Sequence, residues 1–140
     1  MQDSIVSVGA LIFARSTNRF LFLVRSNGTY SGTWGLVGGK AEAGETARTA
    51  LLREIQEEIG TDLSSSKIVP VDLFTSKNQK FTYNTYLVSV EEEFIPKLNT
   101  EHCGYSWCTL RAYPKPLHPG VWGTVSIDVI QQKIDTAINV

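Results

Sequence analysis

Between Thr46 and Ile59 the chain runs without glycine or proline, and Ala47, Leu51, Ile55 and Ile59 recur every four residues before Gly60. That spacing lays an apolar stripe along one side of an α-helix, and Gly60 supplies a C-terminal stop. Such a helix must bury its stripe against something, and the flanking segments say what. Residues 4–13 (SIVSVGALIF) and 20–25 (FLFLVR) are β-branched, aromatic and apolar, with Ser16, Thr17 and Asn18 between them as a turn. They read as a hairpin or as two neighbouring strands. Residues 26–44 are rich in glycine and small polar residues, interrupted by the short apolar piece Trp34 to Val37. A long glycine loop in a compact domain is usually functional. Further strands are expected at 67–75, 81–90 and 105–110, and a second helix near 124–138. Strands interleaved with two helices imply an α/β layered sandwich. The chain holds no internal repeat, low-complexity tract or linker, so 1–140 is expected to be a single domain.

Hydrophobic residues make up 42% of the chain against 19% charged, ordinary for a fold with a real core. A formal charge of −1 and a pI near 6.1 leave no broad basic face, which argues against duplex nucleic acid as a partner and leaves a nucleotide-sized ligand open. No basic segment precedes the apolar run MQDSIVSVGALIFAR, and no apolar stretch reaches membrane-spanning length, so a cytoplasmic location and no membrane partner are expected. Cys103 and Cys108 sit in a segment that reads as a strand, where their spacing turns them to opposite sides, and neither a disulfide nor a zinc site is expected.

The helix also carries acids. With Glu54 at zero on a helical wheel, Glu58 falls roughly 40° to one side and Glu57 roughly 60° to the other. Three carboxylates share one face, beside the stripe of Leu51, Ile55 and Ile59. Like charges at this spacing repel by a few tenths of a kcal/mol per pair unless a cation sits among them. Oxygen-only ligands suit Mg²⁺, or Mn²⁺. A lone Glu-x-x-Glu-Glu is ordinarily a solvated acidic face.

The residues around it reverse that reading. From Gly39 the chain gives five residues, Glu45, seven residues, then Arg53-Glu54-Ile55-Gln56-Glu57-Glu58-Ile59-Gly60. This resembles the Nudix box, the signature of the Nudix hydrolase family. By background residue frequencies such a set arises by chance with odds of about 10⁻⁷ in a chain of this length. Thr61 stands where the family has an aliphatic residue, and Val37 where a proline is common. The flanks Trp34-Gly35-Leu36-Val37-Gly38-Gly39, Glu101-His102, Tyr105 and Trp107 are also similar to the family.

The resemblance implies a Nudix-like α/β/α sandwich with a central mixed sheet. It also implies Mg²⁺-dependent hydrolysis of a pyrophosphate bond in a nucleoside diphosphate linked to another group. Glu54, Glu57 and Glu58 match the metal-binding glutamates, with the carbonyl of Gly38 as a further ligand. Arg53 and Glu45 match residues that brace the loop against the helix, an orienting role. Gly39 and Gly60 serve the turn into the loop and the exit from the helix. The family offers two places for a general base, here Glu54 and Glu101. A carboxylate committed to a metal makes a poor base, which favours Glu101. The physical chemistry agrees: three bare carboxylates repel a pyrophosphate, so protein and substrate share a cleft only through divalent cations.

The substrate is less constrained. Family subgroups carry a downstream proline for ADP-ribose, a tyrosine for dinucleoside polyphosphates, and a Ser-Gln-Pro-Trp motif for NADH. Ser76 to Gln79 occupies that window, with Pro70 too early and Tyr83 too late. By elimination the expected substrate is a nucleoside triphosphate, oxidised or non-standard ones included, giving a nucleoside monophosphate and pyrophosphate. Nucleotide sugars come next, then dinucleoside polyphosphates. The rival of another class is a nucleotide sensor that does not cut, against which the intact Glu54, Glu57 and Glu58 argue. Isomerase chemistry would need a cysteine in the glycine loop, whereas Cys103 lies beside Glu101. His102 and His118 read as hydrogen-bonding loop or core residues, Glu91 to Glu93 as a solvated strand end, and Tyr30, Trp34, Phe81, Tyr83, Tyr105 and Trp107 as packing residues among which no base-stacking residue can be chosen. The oligomeric state stays open, a homodimer included.

Overall fold

The computed structural model describes residues 4–126 and 128–139. The outermost part of the N-terminal run, residues 1–3, and the two points Ile127 and Val140 lie outside them. Strand β1 (Ile5–Ala14) organises the sheet. Strand β6 (Phe81–Val90) runs parallel to it along its whole length, from Ile5 against Phe81 to Ala14 against Val90. The other partners of β1 divide it: β4 (Val37–Lys40) pairs antiparallel with its first half, and β2 (Arg19–Arg25) joins only at its end, through Phe13–Phe20 and Ala14–Arg19. β2 goes on to pair with β3 (Trp34–Gly35) and with β7 (His102–Cys108), while β5 (Lys67–Thr75) lies antiparallel to β6. The result is a mixed seven-stranded sheet.

Both faces of that sheet are covered, and the alternation along β1 sorts them. Val8, Ala10, Ile12 and Ala14 pack with Leu21, Leu23 and Val37 against Leu51, Ile55 and Ile59 of helix α1 (Ala47–Ile59). Leu11 and Phe13 point the other way, joining Phe20, Phe22, Leu36 and Leu87 under Val121 of α2 (Pro119–Ser126) and Ile134 of α3 (Asp128–Ile138). Helices on two faces of a mixed sheet make the α/β/α sandwich that the resemblance implied. No helix among the described residues is long and apolar enough to cross a membrane.

Helix α1 forms where its local signals put it. Thr46 accepts a hydrogen bond from the Thr49 N–H at 3.1 Å, and Gly60 adopts φ 66° while its N–H closes on Gln56 O. Val37, in place of the family's proline, is fully buried beneath that helix.

Three expectations need correction. The strand expected at 105–110 runs from His102 to Cys108, because Gly104 pairs with Val24 and leaves room for the Val24 side chain where its own Cβ would stand. The second helical region begins at Pro119 rather than 124, since Pro119 fits a first helical position and His118 Nδ1 accepts from the Gly120 N–H. Gly120 and Gly123 weaken the helical signal there. Glu91 and Glu92 are exposed as expected, but Glu93 accepts from Thr17 Oγ1 and from both Nε and Nη2 of Arg19, tying the β1–β2 turn to the end of β6. Cys103 is exposed, Cys108 half-buried, and both are free thiols.

Candidate active site

Strand β4 delivers the glycines against which the acids of α1 pack. Gly39 pairs with Val8 on the α1 side of the sheet, and a Cβ at Gly39 would stand on the carboxylate of Glu54. Only glycine lets that carboxylate lie flat on the strand. One turn on, Glu58 is 2% exposed, and its Oε1 accepts the Gly38 N–H at 3.0 Å. The structure thus ties Gly38 to the acids through its N–H.

Burial pushes the Glu58 carboxyl up to about 9, against the pull of the Gly38 N–H and with help from the charges of Glu54 and Glu101. Glu54 is raised as well, by burial first; the Arg53 charge opposes the shift and Glu57 and Glu101 add to it. Two buried carboxylates therefore face each other with too little positive charge between them. The third acid differs. Glu57 is exposed, and Arg53 Nη1 holds both its oxygens at 3.2 and 3.3 Å. As placed, no three His, Cys, Asp or Glu side chains among the described residues converge on one metal position, because Arg53 draws the Glu57 carboxylate to itself.

Arg53 is the hub of the loop–helix junction. Its Nε and Nη2 grip both oxygens of Glu45 at 2.8 and 3.0 Å, Nη2 also reaches Lys40 O, and Nη1 reaches Glu54 at 3.3 Å. Glu45 in turn accepts from the Glu42 N–H, and its hydrogen bond with Arg53 holds its carboxyl below the usual range. A planar guanidinium is the one side chain that grips a carboxylate edge-on while donating to two further groups. Glu101 comes from the other side, on the loop before β7, where Asn99 both receives its N–H and donates to its Oε2. Its charge is felt by Glu54, Glu58 and His102 alike. Glu54 and Glu58 are thus brought together, with Glu57 at the edge and the Glu101 charge acting on both.

Beside these acids opens a cavity of about 680 Å³, of nucleotide size. Gly38, Gly39 and Lys40 form its end near the acids, Phe74, Phe81 and Tyr83 line it on β5 and β6, Arg25 and His102 on β2 and β7, and His118 to Val121 at the start of α2. Of the aromatic candidates, Phe81 and Tyr83 lie on this cavity. Trp107 is core, packed edge-on against Phe94 with its Nε1 donating to Phe94 O, and Tyr30 stacks edge-on against His118 outside the cavity wall. Both histidines line the cavity, which composition and spacing did not reveal; burial lowers each of them, and the Arg25 charge lowers them further. Phe74, Arg25 and Asp72 also went unmarked, since each is an ordinary strand residue whose role comes only from the face it occupies.

A family model described as the NUDIX domain matches residues 3–125. Dihydroneopterin triphosphate diphosphatase of Haemophilus influenzae is 29% identical over 120 residues, covering 75% of this chain and 74% of that protein. Nucleoside triphosphatase NudI of Salmonella heidelberg is 34% identical over 97 residues, covering 61% and 67%. Among solved structures, a MutT NUDIX hydrolase from Burkholderia pseudomallei superposes with a TM-score of 0.73 at 25% identity, covering 89% of this chain and 97% of that one.

Proposed function

Because the chain belongs to the NUDIX family and is one of its pyrophosphohydrolases, we propose that it hydrolyses a nucleoside triphosphate to a nucleoside monophosphate and pyrophosphate, with Mg²⁺ as its metal and Mn²⁺ as the alternative. The observation that carries this reading is the pair of buried, under-compensated carboxylates, Glu54 and Glu58, on the glycine strand that ends a nucleotide-sized cavity. The names of two relatives, a dihydroneopterin triphosphate diphosphatase and a nucleoside triphosphatase, support a triphosphate substrate.

The donor set fits a hard divalent cation: all oxygen, with two of its three carboxylates buried and short of positive charge. Glu54 and Glu58 would hold it, with Glu57 and the Gly38 carbonyl completing the set. When bound, such a cation supplies the positive charge that offsets the phosphates and the developing charge at phosphorus. The chain's own residues do the rest. Arg53 holds Glu54 and the loop through Glu45 and Lys40 O, so these keep their position as the site fills, while Glu57 would leave Arg53 Nη1 to join the set. Lys40 and Arg25 place positive charge on the cavity wall for an anionic ligand. Glu101, exposed and steadied by Asn99, takes the proton of the attacking water.

A substrate panel of nucleoside triphosphates, nucleotide sugars and dinucleoside polyphosphates with Mg²⁺, read by release of phosphate or pyrophosphate, tests the reading. The triphosphates should turn over fastest. Tight binding of all three classes with no turnover would replace it by the sensor.

A further inference from the structure

On β5 the alternation of faces breaks. Val69 and Val71 belong to the core under α2 and α3, so regular alternation would turn Asp72 to the other side of the sheet. A register irregularity between Pro70 and Asp72 instead sets Asp72 opposite Thr85 and Phe74 opposite Tyr83, and Asp72 and Phe74 both join the cavity wall. Bulges beside active sites commonly re-aim a side chain in this way. The Asp72 side chain is 19% exposed and is paired with Lys133 of α3, whose Nζ stands 3.9 Å from Oδ1, beyond hydrogen-bond length. Among the described residues no hydrogen bond reaches either oxygen. Asp72 is thus an open acceptor on the cavity wall, at the far side of the aromatic residues from the acids.

Position and chemistry say what that carboxylate meets. Asp72, Thr85, Gly9 and Gly38 lie in one row across β5, β6, β1 and β4. Three inter-strand steps separate Asp72 from Gly38 by about 14 Å, the order of length between the phosphates of a nucleotide and the far edge of its base. Tyr83 lies over Gly9 in the middle of that row, where a Cβ would collide with its hydroxyl, and Phe74 stands two residues from Asp72, 54% exposed. Together they offer flat apolar surface for a ring between the acids and Asp72. A carboxylate only accepts, and its own covalent geometry fixes its two oxygens side by side. Its match is a pair of adjacent N–H donors, the ring N–H and amino group of a 2-amino-oxo heterocycle such as guanine. Hypoxanthine offers one donor of the two, adenine sets an acceptor beside its amino group, and xanthine sets a carbonyl beside its ring N–H.

We propose that Asp72 is a specificity-determining residue that accepts the paired N–H donors of a 2-amino-oxo base, so that guanine-type nucleoside triphosphates are the preferred substrates. This rests on the reading that the substrate is a nucleoside triphosphate. The kcat/KM of guanosine, inosine, adenosine and xanthosine triphosphates with Mg²⁺, and the Kd of the four monophosphates by calorimetry, are to be measured for the wild type, Asp72→Asn and Lys133→Met. Guanosine and inosine triphosphates differ only by the amino group. The wild type should favour the guanosine form by about 10- to 100-fold, the scale of one hydrogen bond to a charged acceptor. Asp72→Asn replaces one acceptor by a donor of the same size, which matches the N–H and carbonyl of xanthine, so it should reverse the order of guanosine and xanthosine triphosphates. Lys133→Met should keep the wild-type order. A wild type that treats guanosine and inosine triphosphates within about threefold of each other overturns the proposal whatever the variants do. So does an Asp72→Asn variant that lowers all four nucleotides alike, which would leave Asp72 only an anchor for Lys133. The same order among the monophosphates with no turnover of any triphosphate would sink the hydrolase reading alone, and turnover without that order would sink this inference alone.

Discussion

Replacing Glu58 by glutamine should make the metal-free protein more stable at neutral pH while removing its activity. Glu58 is buried at 2% exposure and its carboxyl is pushed up from 4.5 to about 9. Between those values the folded chain holds a proton that the unfolded chain has released, so the stability tied to this group is complete below 4.5, falls as pH rises, and is gone above about 9. The slope is about 1.4 kcal/mol per pH unit, which amounts to about 2 to 3 kcal/mol between pH 5 and pH 7. Because Glu54 is raised too and faces Glu58, the titration belongs to the pair. Glutamine keeps the size of the side chain, can still accept the Gly38 N–H through Oε1, and has nothing to ionise. His102 and His118, lowered by burial, act in the opposite direction up to their ordinary 6.5, so the difference between variant and wild type, in which they cancel, is the clean readout. Urea unfolding in EDTA at pH 5, 6, 7 and 8 should show the advantage of Glu58→Gln growing with pH. Added Mg²⁺ should then stabilise the wild type and not the variant. An advantage that is constant with pH, or a variant less stable than wild type at pH 7, would refute the claim that Glu58 is buried without a counter-charge.

Glu57→Gln and Glu58→Gln should fold and each lose on the order of 10²-fold or more in kcat/KM, with full turnover in excess EDTA as the contradicting result. Glu101→Gln should lower kcat by about 10² to 10⁴ with its Mg²⁺ dependence unchanged; a variant within about threefold of wild type would move the base to Glu54. Arg53→Met severs the links to Glu45, Lys40 O, Glu54 and Glu57 at once. It should reduce kcat/KM by about 10- to 100-fold and weaken Mg²⁺ binding, as loss of an orienting residue does, measured by metal titration of activity.

Helix α1 was legible because every local signal agreed: Thr46 caps, the stripe repeats, Gly60 turns left-handed. Strands β5 and β6 were legible for the same reason and keep the expected limits, 67–75 and 81–90. The start of β7 and the first part of α2 were not, because Gly104 answers to Val24 on a distant strand and Gly120 to the His118 cap rather than to propensity. The acids and their brace could be read from one contiguous run of chain. The cavity could not: Arg25, Phe74, His102 and His118 are far apart in sequence, and only the pairing of their strands and the packing of the α2 start against the sheet bring them to one wall. The sequence could place three glutamates on one helix face, but only tertiary contacts decide that Glu54 and Glu58 are buried and Glu57 is held by Arg53.

The most direct test of the central claim is ³¹P NMR of a nucleoside triphosphate incubated with the protein and Mg²⁺. Pyrophosphate and nucleoside monophosphate should be the first products, abolished by EDTA and by Glu58→Gln. Orthophosphate and nucleoside diphosphate as the first products, or the same turnover in EDTA, would contradict it.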